Sequence, residues 1–134
     1  MPRGTDTVLL VEGEEGARSV AREALELYGY SVIEASGGGE AVSIFERADD
    51  VRLVVTDVVM PDMGGRELAK RLLGRRPGLY VLYMSGYTDN AIVSHSILYE
   101  GTNFIQKPFT PAALARKVRE VFDAAGRRPE PVDC

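Results

Sequence analysis

Residues 51–75 read VRLVVTDVVMPDMGGRELAKRLLGR, and this stretch holds the plan of the whole chain in small. Val51 to Thr56 is an almost unbroken aliphatic run of strand length, which suits a strand covered on both faces. It closes on Asp57, passes through a turn carrying Pro61 and the Gly64, Gly65 pair, and takes up helical period from Arg66 to Arg75. The same strand-then-helix unit recurs on both sides. Before it lie Thr7 to Glu12 (TVLLVE) with a helix from Glu14 to Tyr28. Next comes Tyr30 to Ala35 (YSVIEA) with a helix from Glu40 to Ala48; this strand alternates more and suits a place near a sheet edge. After it lie Leu79 to Met84 with a weakly amphipathic helix opening over Gly86 to Asn90 and running to about Tyr99. Asn103 to Gln106 (NFIQ) follows, then a last helix from Pro111 to about Ala125, with Thr110 as its N-cap. Repeated βα units predict an α/β fold built on a parallel sheet.

The 134 residues make one ordinary domain, and with 45% hydrophobic and 27% charged residues there is apolar material for a real core without disulfides or structural metal. The expected domain runs over 7–125, between an N-terminal tail at 1–6 and a C-terminal tail at 126–134 (GRRPEPVDC). The longest apolar runs fall far short of the roughly 20 residues of a membrane span, and the N-terminus lacks a signal-peptide stretch, so a cytoplasmic protein without membrane contact is expected. Cys134 is the single cysteine, with no partner for a disulfide and no metal-ligand spacing. A net charge of -4 has the wrong sign for direct nucleic-acid binding through a basic surface.

In a doubly wound sheet the ligand site lies beyond the carboxyl ends of the strands. There the first strand ends in Glu12, the third in Asp57 and the fourth in Ser85, while the fifth runs into Lys107. Two clustered carboxylates suit a hard cation such as Mg²⁺, which takes one or two protein carboxylates together with phosphate oxygens. A lysine and a hydroxyl supply donors for further anionic oxygens. This edge is a place where a carboxylate could receive a phosphoryl group.

In these residues the chain resembles the receiver domains of two-component response regulators. The resemblance spans roughly Thr7 to Ala125 and rests on four segments in order: VLLVE, TDVVMPDMGG, LYMSGYTDN and FIQKPF. It implies a flavodoxin-like (βα)5 fold of strand order 2-1-3-4-5. By position, Asp57 corresponds to the phosphoacceptor, Ser85 to the hydroxyl that bonds the phosphoryl group, Lys107 to the lysine that pairs with it, and Phe104 to the aromatic switch. Glu12 corresponds to a metal-site acid, the backbone carbonyl of Val59 to a further Mg²⁺ ligand, and the Lys107–Pro108 bond is expected to be cis. Val59 and Tyr87 correspond to positions bordering the path of an attacking water, which implies slow self-dephosphorylation. The implied partner is a histidine kinase or phosphotransfer domain, and the implied output face combines the fourth helix, fifth strand and fifth helix. MSGYTDNAI and FIQKPFTPAALARKVREV are most similar to receivers attached to hybrid sensor histidine kinases.

The chain departs from the family pattern at one place. Where two adjacent acids are usual it reads Glu12, Gly13, Glu14, so one carboxylate ligand is missing and weak Mg²⁺ binding is expected, with Glu14 a candidate to reach in. The alternative this opens is a degenerate receiver acting as a phosphorylation-independent interaction module. A phosphatase with an aspartate nucleophile is a third class, but Val58 and Val59 stand where an Asp-x-Asp motif would be needed. Gly37 to Gly39 lack a following Gly-Lys-Ser/Thr and read as a flexible loop rather than a phosphate cradle. His95 has no evident catalytic partner. Arg116, Lys117, Arg119, Arg127 and Arg128 are interrupted by acids and suit a solvated helix face, and Met60, Met63 and Met84 suit packing.

Overall fold

A computed structural model of the chain describes residues 6–60, 62–85, 103–107 and 109–127. Outside these lie the helix expected over 86–99 with Tyr87 and His95, and Pro108, on which the expected cis bond depends. Most of both tails, with Arg128 and Cys134, also lies outside. The described elements are β1 (Thr7–Val11), α1 (Glu15–Leu27), β2 (Ser31–Ala35), α2 (Gly38–Arg47) and β3 (Val51–Asp57). α3 (Gly65–Arg75), β4 (Tyr80–Ser85), β5 (Phe104–Gln106) and α4 (Pro111–Arg127) complete them. All neighbouring strands are parallel, in the order β2-β1-β3-β4-β5, so the expected topology is present.

Alternation along the strands divides the core in two, because successive side chains leave opposite faces of a sheet. Val8 and Leu10 of β1 and Leu53 and Val55 of β3 join Leu25 of α1 and Leu114 and Val118 of α4. Leu9, Val11 and Val54 point the other way, toward Phe45 of α2 and Leu68 and Leu72 of α3. β1 is buried over Val8–Val11, whereas β2 at the sheet edge keeps partly exposed residues, in line with its alternating sequence. Met60 and Met84 are buried and Met63 packs against the α2–α3 side, as packing residues should.

Helix ends follow local chemistry with one revision. Thr110 accepts the Ala113 N–H at 3.0 Å and caps α4, which continues two residues past the expected end. Past α1, Gly29 adopts φ 97°, a conformation that closes a helix with little strain only for glycine. α2, however, begins at Gly38 rather than at Glu40, so two of the three consecutive glycines are helical and not loop. Their low helix propensity is overridden by a tertiary contact described below. Among the described residues no helix is long and apolar enough to cross a membrane.

Candidate phosphoryl site at the carboxyl edge of the sheet

The registers Val11↔Thr56 and Asp57↔Met84 place the residue following β1 beside the last residue of β3. That is why Glu12 and Asp57, 45 positions apart in the chain, become neighbours. Both are buried, at 3% and 7% exposure. Lys107, just beyond β5, reaches across the edge: its Nζ donates to Glu12 Oε1 at 2.9 Å and to Asp57 Oδ1 at 2.8 Å. The second oxygen of Glu12, Oε2, accepts the Glu14 backbone N–H at 3.0 Å. Arg18 of α1 donates to the Glu12 carbonyl at 2.8 Å and to Glu34 Oε1 at 3.1 Å, fixing the path of the chain as it leaves β1.

Burial and the facing Glu12 carboxylate push the acidity of Asp57 down, raising its pKa to about 7 despite the ammonium of Lys107. Burial opposes the charge of Glu12 too. Hydrogen bonding with Asp57, the Glu14 amide and Lys107 outweighs it and leaves Glu12 below its ordinary value. The two carboxyls therefore act as a pair in which Glu12 holds the charge and Asp57 the more basic oxygen. Lys107 loses hydration by burial, but its bonds to Asp57 and Glu12 raise its pKa and keep it cationic.

Two close-packed carboxylates, both hard oxygen donors and mutually repelling, fit a divalent cation, which would relieve the repulsion that one ammonium offsets only in part. Among the described residues there is no group of three or more His, Cys, Asp or Glu able to hold a metal. Gly13 is the reason on this loop, and Glu14 does not replace it: it is exposed at the N-cap of α1 and meets Glu12 through its backbone N–H.

The other anticipated residues fall as follows. Ser85 ends β4 opposite Gln106 of β5; its side chain lies outside the described atoms. Phe104 pairs with Tyr83 and packs, half-buried, against the cluster of Val58, Ala69 and Tyr83. Val59 projects outward at 59% exposure. Three contributors carried no clear sequence signal. Arg18 acts on a backbone carbonyl. Gly65 lets α3 start against the site: a Cβ there would stand 2.1 Å from the Asp57 carbonyl oxygen, and the Gly65 N–H donates to Val58 O at 2.7 Å. Asp62 accepts the Gly38 and Gly39 amides at 3.3 and 2.9 Å. A turn aspartate gives no hint in sequence of a partner more than 20 positions away.

With fold and site in place, comparison with known proteins gives the class. Residues 8–119 match the family described as response regulator receiver domain, and the chain belongs to that family. It is 38% identical over 121 residues to sensor kinase CckA of Brucella abortus (strain 2308), covering 90% of this chain but 13% of that kinase. The crystal structure of the receiver domain from hybrid histidine kinase CckA is similar with a TM-score of 0.69 and 32% identity, covering 85% of this chain and 96% of that one. A CheY-like receiver domain protein from Methanospirillum hungatei JF-1 matches with a TM-score of 0.79 and 28% identity, covering 92% and 98% of the two chains. This is a receiver domain of two-component signalling with the flavodoxin-like fold.

Proposed function

We propose that the chain accepts a phosphoryl group on Asp57 from the phosphohistidine of a histidine kinase or phosphotransfer domain. The observation that carries this reading is the buried Asp57 at the end of a central strand, hydrogen-bonded by a lysine that also holds Glu12. An Asp57 carboxylate oxygen attacks phosphorus, the P–N bond to the donor imidazole breaks, and its electrons return to that ring, which is left to take a proton. Lys107 neutralises the charge on the transferred oxygens, and Ser85 donates a hydrogen bond to one of them. Mg²⁺, held by Glu12, Asp57 and the Val59 carbonyl, would add charge neutralisation at the same oxygens. With Gly13 in place of an acid, its binding is weak.

The aspartyl phosphate adds about -1.5 to -2 charges where an ammonium and a carboxylate pair had been balanced. Lys107 and Ser85 turn toward it, Phe104 follows Ser85, and the output face to which β5 and α4 contribute changes for an effector. Val59 offers no hydrogen bond to orient a water, which favours a long-lived adduct. The domain works in the cytoplasm as part of a hybrid kinase, and its 7–125 body needs neither tail for the chemistry.

A small-molecule phosphodonor with Mg²⁺, followed by intact mass, tests the reading against its rivals. A single persistent phosphate adduct is the expected result. No adduct at saturating Mg²⁺ would favour a phosphorylation-independent interaction module. Multiple turnover of a phosphoester would favour a hydrolase.

A further inference from the structure

The three glycines at 37–39 belong to a contact that the phosphoryl chemistry leaves unexplained. α2 starts at Gly38 with Gly37 at its N-cap and no side-chain cap from its own segment. The cap comes instead from the loop between β3 and α3: Asp62 Oδ1 accepts the Gly38 N–H at 3.3 Å and Oδ2 the Gly39 N–H at 2.9 Å. The approach is tightest at Gly38. A Cβ on Gly37 would stand 3.2 Å from Asp62 Oδ1, one on Gly38 2.9 Å from the Cβ of Met63, and one on Gly39 3.4 Å from Asp62 Oδ2. On the other side of this helix start, Glu40 Oε1 accepts the Ser36 N–H and hydroxyl, each at 2.8 Å, which holds the β2–α2 turn in place.

The loop that carries Asp62 also carries the acceptor's neighbours. Val58 is anchored at both polar groups, its N–H to Met84 O at 3.0 Å and its carbonyl from Gly65 N at 2.7 Å. Met60 and Met63 sit on the apolar cluster between α2 and α3, while Val59 faces outward. Asp62 therefore joins a span that begins at the acceptor to the first turn of a helix on the sheet's other strand pair. A carboxylate at a helix start is favoured by the amide hydrogens it receives and by the helix dipole.

We propose that Asp62 is a positioning residue: by clasping the N-terminus of α2 it holds the loop after the acceptor strand in place at Asp62 and Met63, and so sets the cation affinity of the site and the rate at which Asp57 is phosphorylated. The inference rests on the phosphoacceptor reading and deepens it. Coupling between two sites is reciprocal, so whatever Asp62 contributes to cation binding, the cation returns as tighter binding of Asp62 to the Gly38 and Gly39 amides.

The test uses the full chain, with MgCl₂ as ligand, and compares Asp62→Ala, Asp62→Asn and Gly38→Ala. Mg²⁺ affinity by titration should fall about fivefold in Asp62→Ala and in Gly38→Ala, whose new methyl displaces Met63, with a parallel slowing of phosphorylation. Asp62→Asn should recover only part of the affinity, because its one amide oxygen can still accept the Gly39 N–H while its NH2 cannot accept the Gly38 N–H. In the parent protein, saturating Mg²⁺ should slow hydrogen exchange at the Gly38 and Gly39 amides, and this protection should vanish in Asp62→Ala. A purely structural cap would lower the melting temperature of Asp62→Ala and leave Mg²⁺ affinity unchanged, which would overturn the proposal. A parent protein that binds no Mg²⁺ would overturn it too. A parent that binds Mg²⁺ but takes no phosphate would instead refute the acceptor reading, while titration and exchange would still decide the clasp.

Discussion

At the scale of single residues, the site is governed by two carboxyls and one ammonium. Because the folded-state pKa of Asp57 is raised to about 7 from an ordinary 3.8, the folded protein holds a proton there that the unfolded chain has already lost. The corresponding stability is complete below the unfolded value and disappears as the pH rises through about 7. The lowered Glu12 works in the opposite sense, but below its ordinary 4.5, outside that window. Melting in the presence of a chelator should therefore show the melting temperature falling from pH 6 to pH 8. Asp57→Asn should flatten the profile and raise stability at pH 8 by on the order of 2 kcal/mol. A parent profile as flat as the variant's would mean that Lys107 fully compensates both acids. The second residue-scale expectation concerns Gly13. A Cβ there meets only the Ser36 carbonyl at 3.5 Å, an ordinary contact, so Gly13→Asp fits without strain and adds a hard oxygen ligand beside Glu12. Mg²⁺ affinity should rise about tenfold by titration, and equal affinities would show that water or backbone already takes the missing acid's place. Glu12, Asp57 and Lys107 were legible in the sequence because each closes or follows an apolar run. Arg18 and Asp62 were not, because their contacts at the site are to backbone groups, the Glu12 carbonyl and the Gly38 and Gly39 amides, which leave no trace in residue type.

At the scale of elements, the apolar runs located every described strand within a residue or so of its ends, since strand length and burial on both faces leave a continuous aliphatic signature. The start of α2 was misplaced for a physical reason: propensity argues against a helix opening on glycines, and the compensating carboxylate comes from another part of the chain. Among the described glycines, Gly65 at the junction of β3 and α3 has the closest Cβ approach. With a Cβ at Gly65 only 2.1 Å from the Asp57 carbonyl oxygen, Gly65→Ala must displace either α3 or the acceptor strand end. We expect a loss of about 3 kcal/mol in denaturant unfolding, as for a severely overpacked site. Gly74, with nothing within 4 Å of its Cβ position, should tolerate alanine and serves as the control. A Gly65→Ala protein as stable as the parent would show that the α3 start has room to shift.

At the scale of the whole molecule, alternating strand and helix periods made the parallel α/β class legible, whereas the order β2-β1-β3-β4-β5, which brings β1, β3 and the end of β5 to a common edge, was implied by the resemblance to receiver domains. That convergence turns three unremarkable side chains into a site. The function of that edge turns on the identity of the residue that carries the phosphoryl group. The most direct measurement is to phosphorylate the protein with a small-molecule donor and Mg²⁺, reduce the acyl phosphate with borohydride, and map the resulting alcohol by peptide mass spectrometry. The modification is expected at Asp57 and is expected to be lost in Asp57→Asn. A label at Glu12, at Asp62 or at any other residue, or an undiminished adduct in Asp57→Asn, would contradict this assignment.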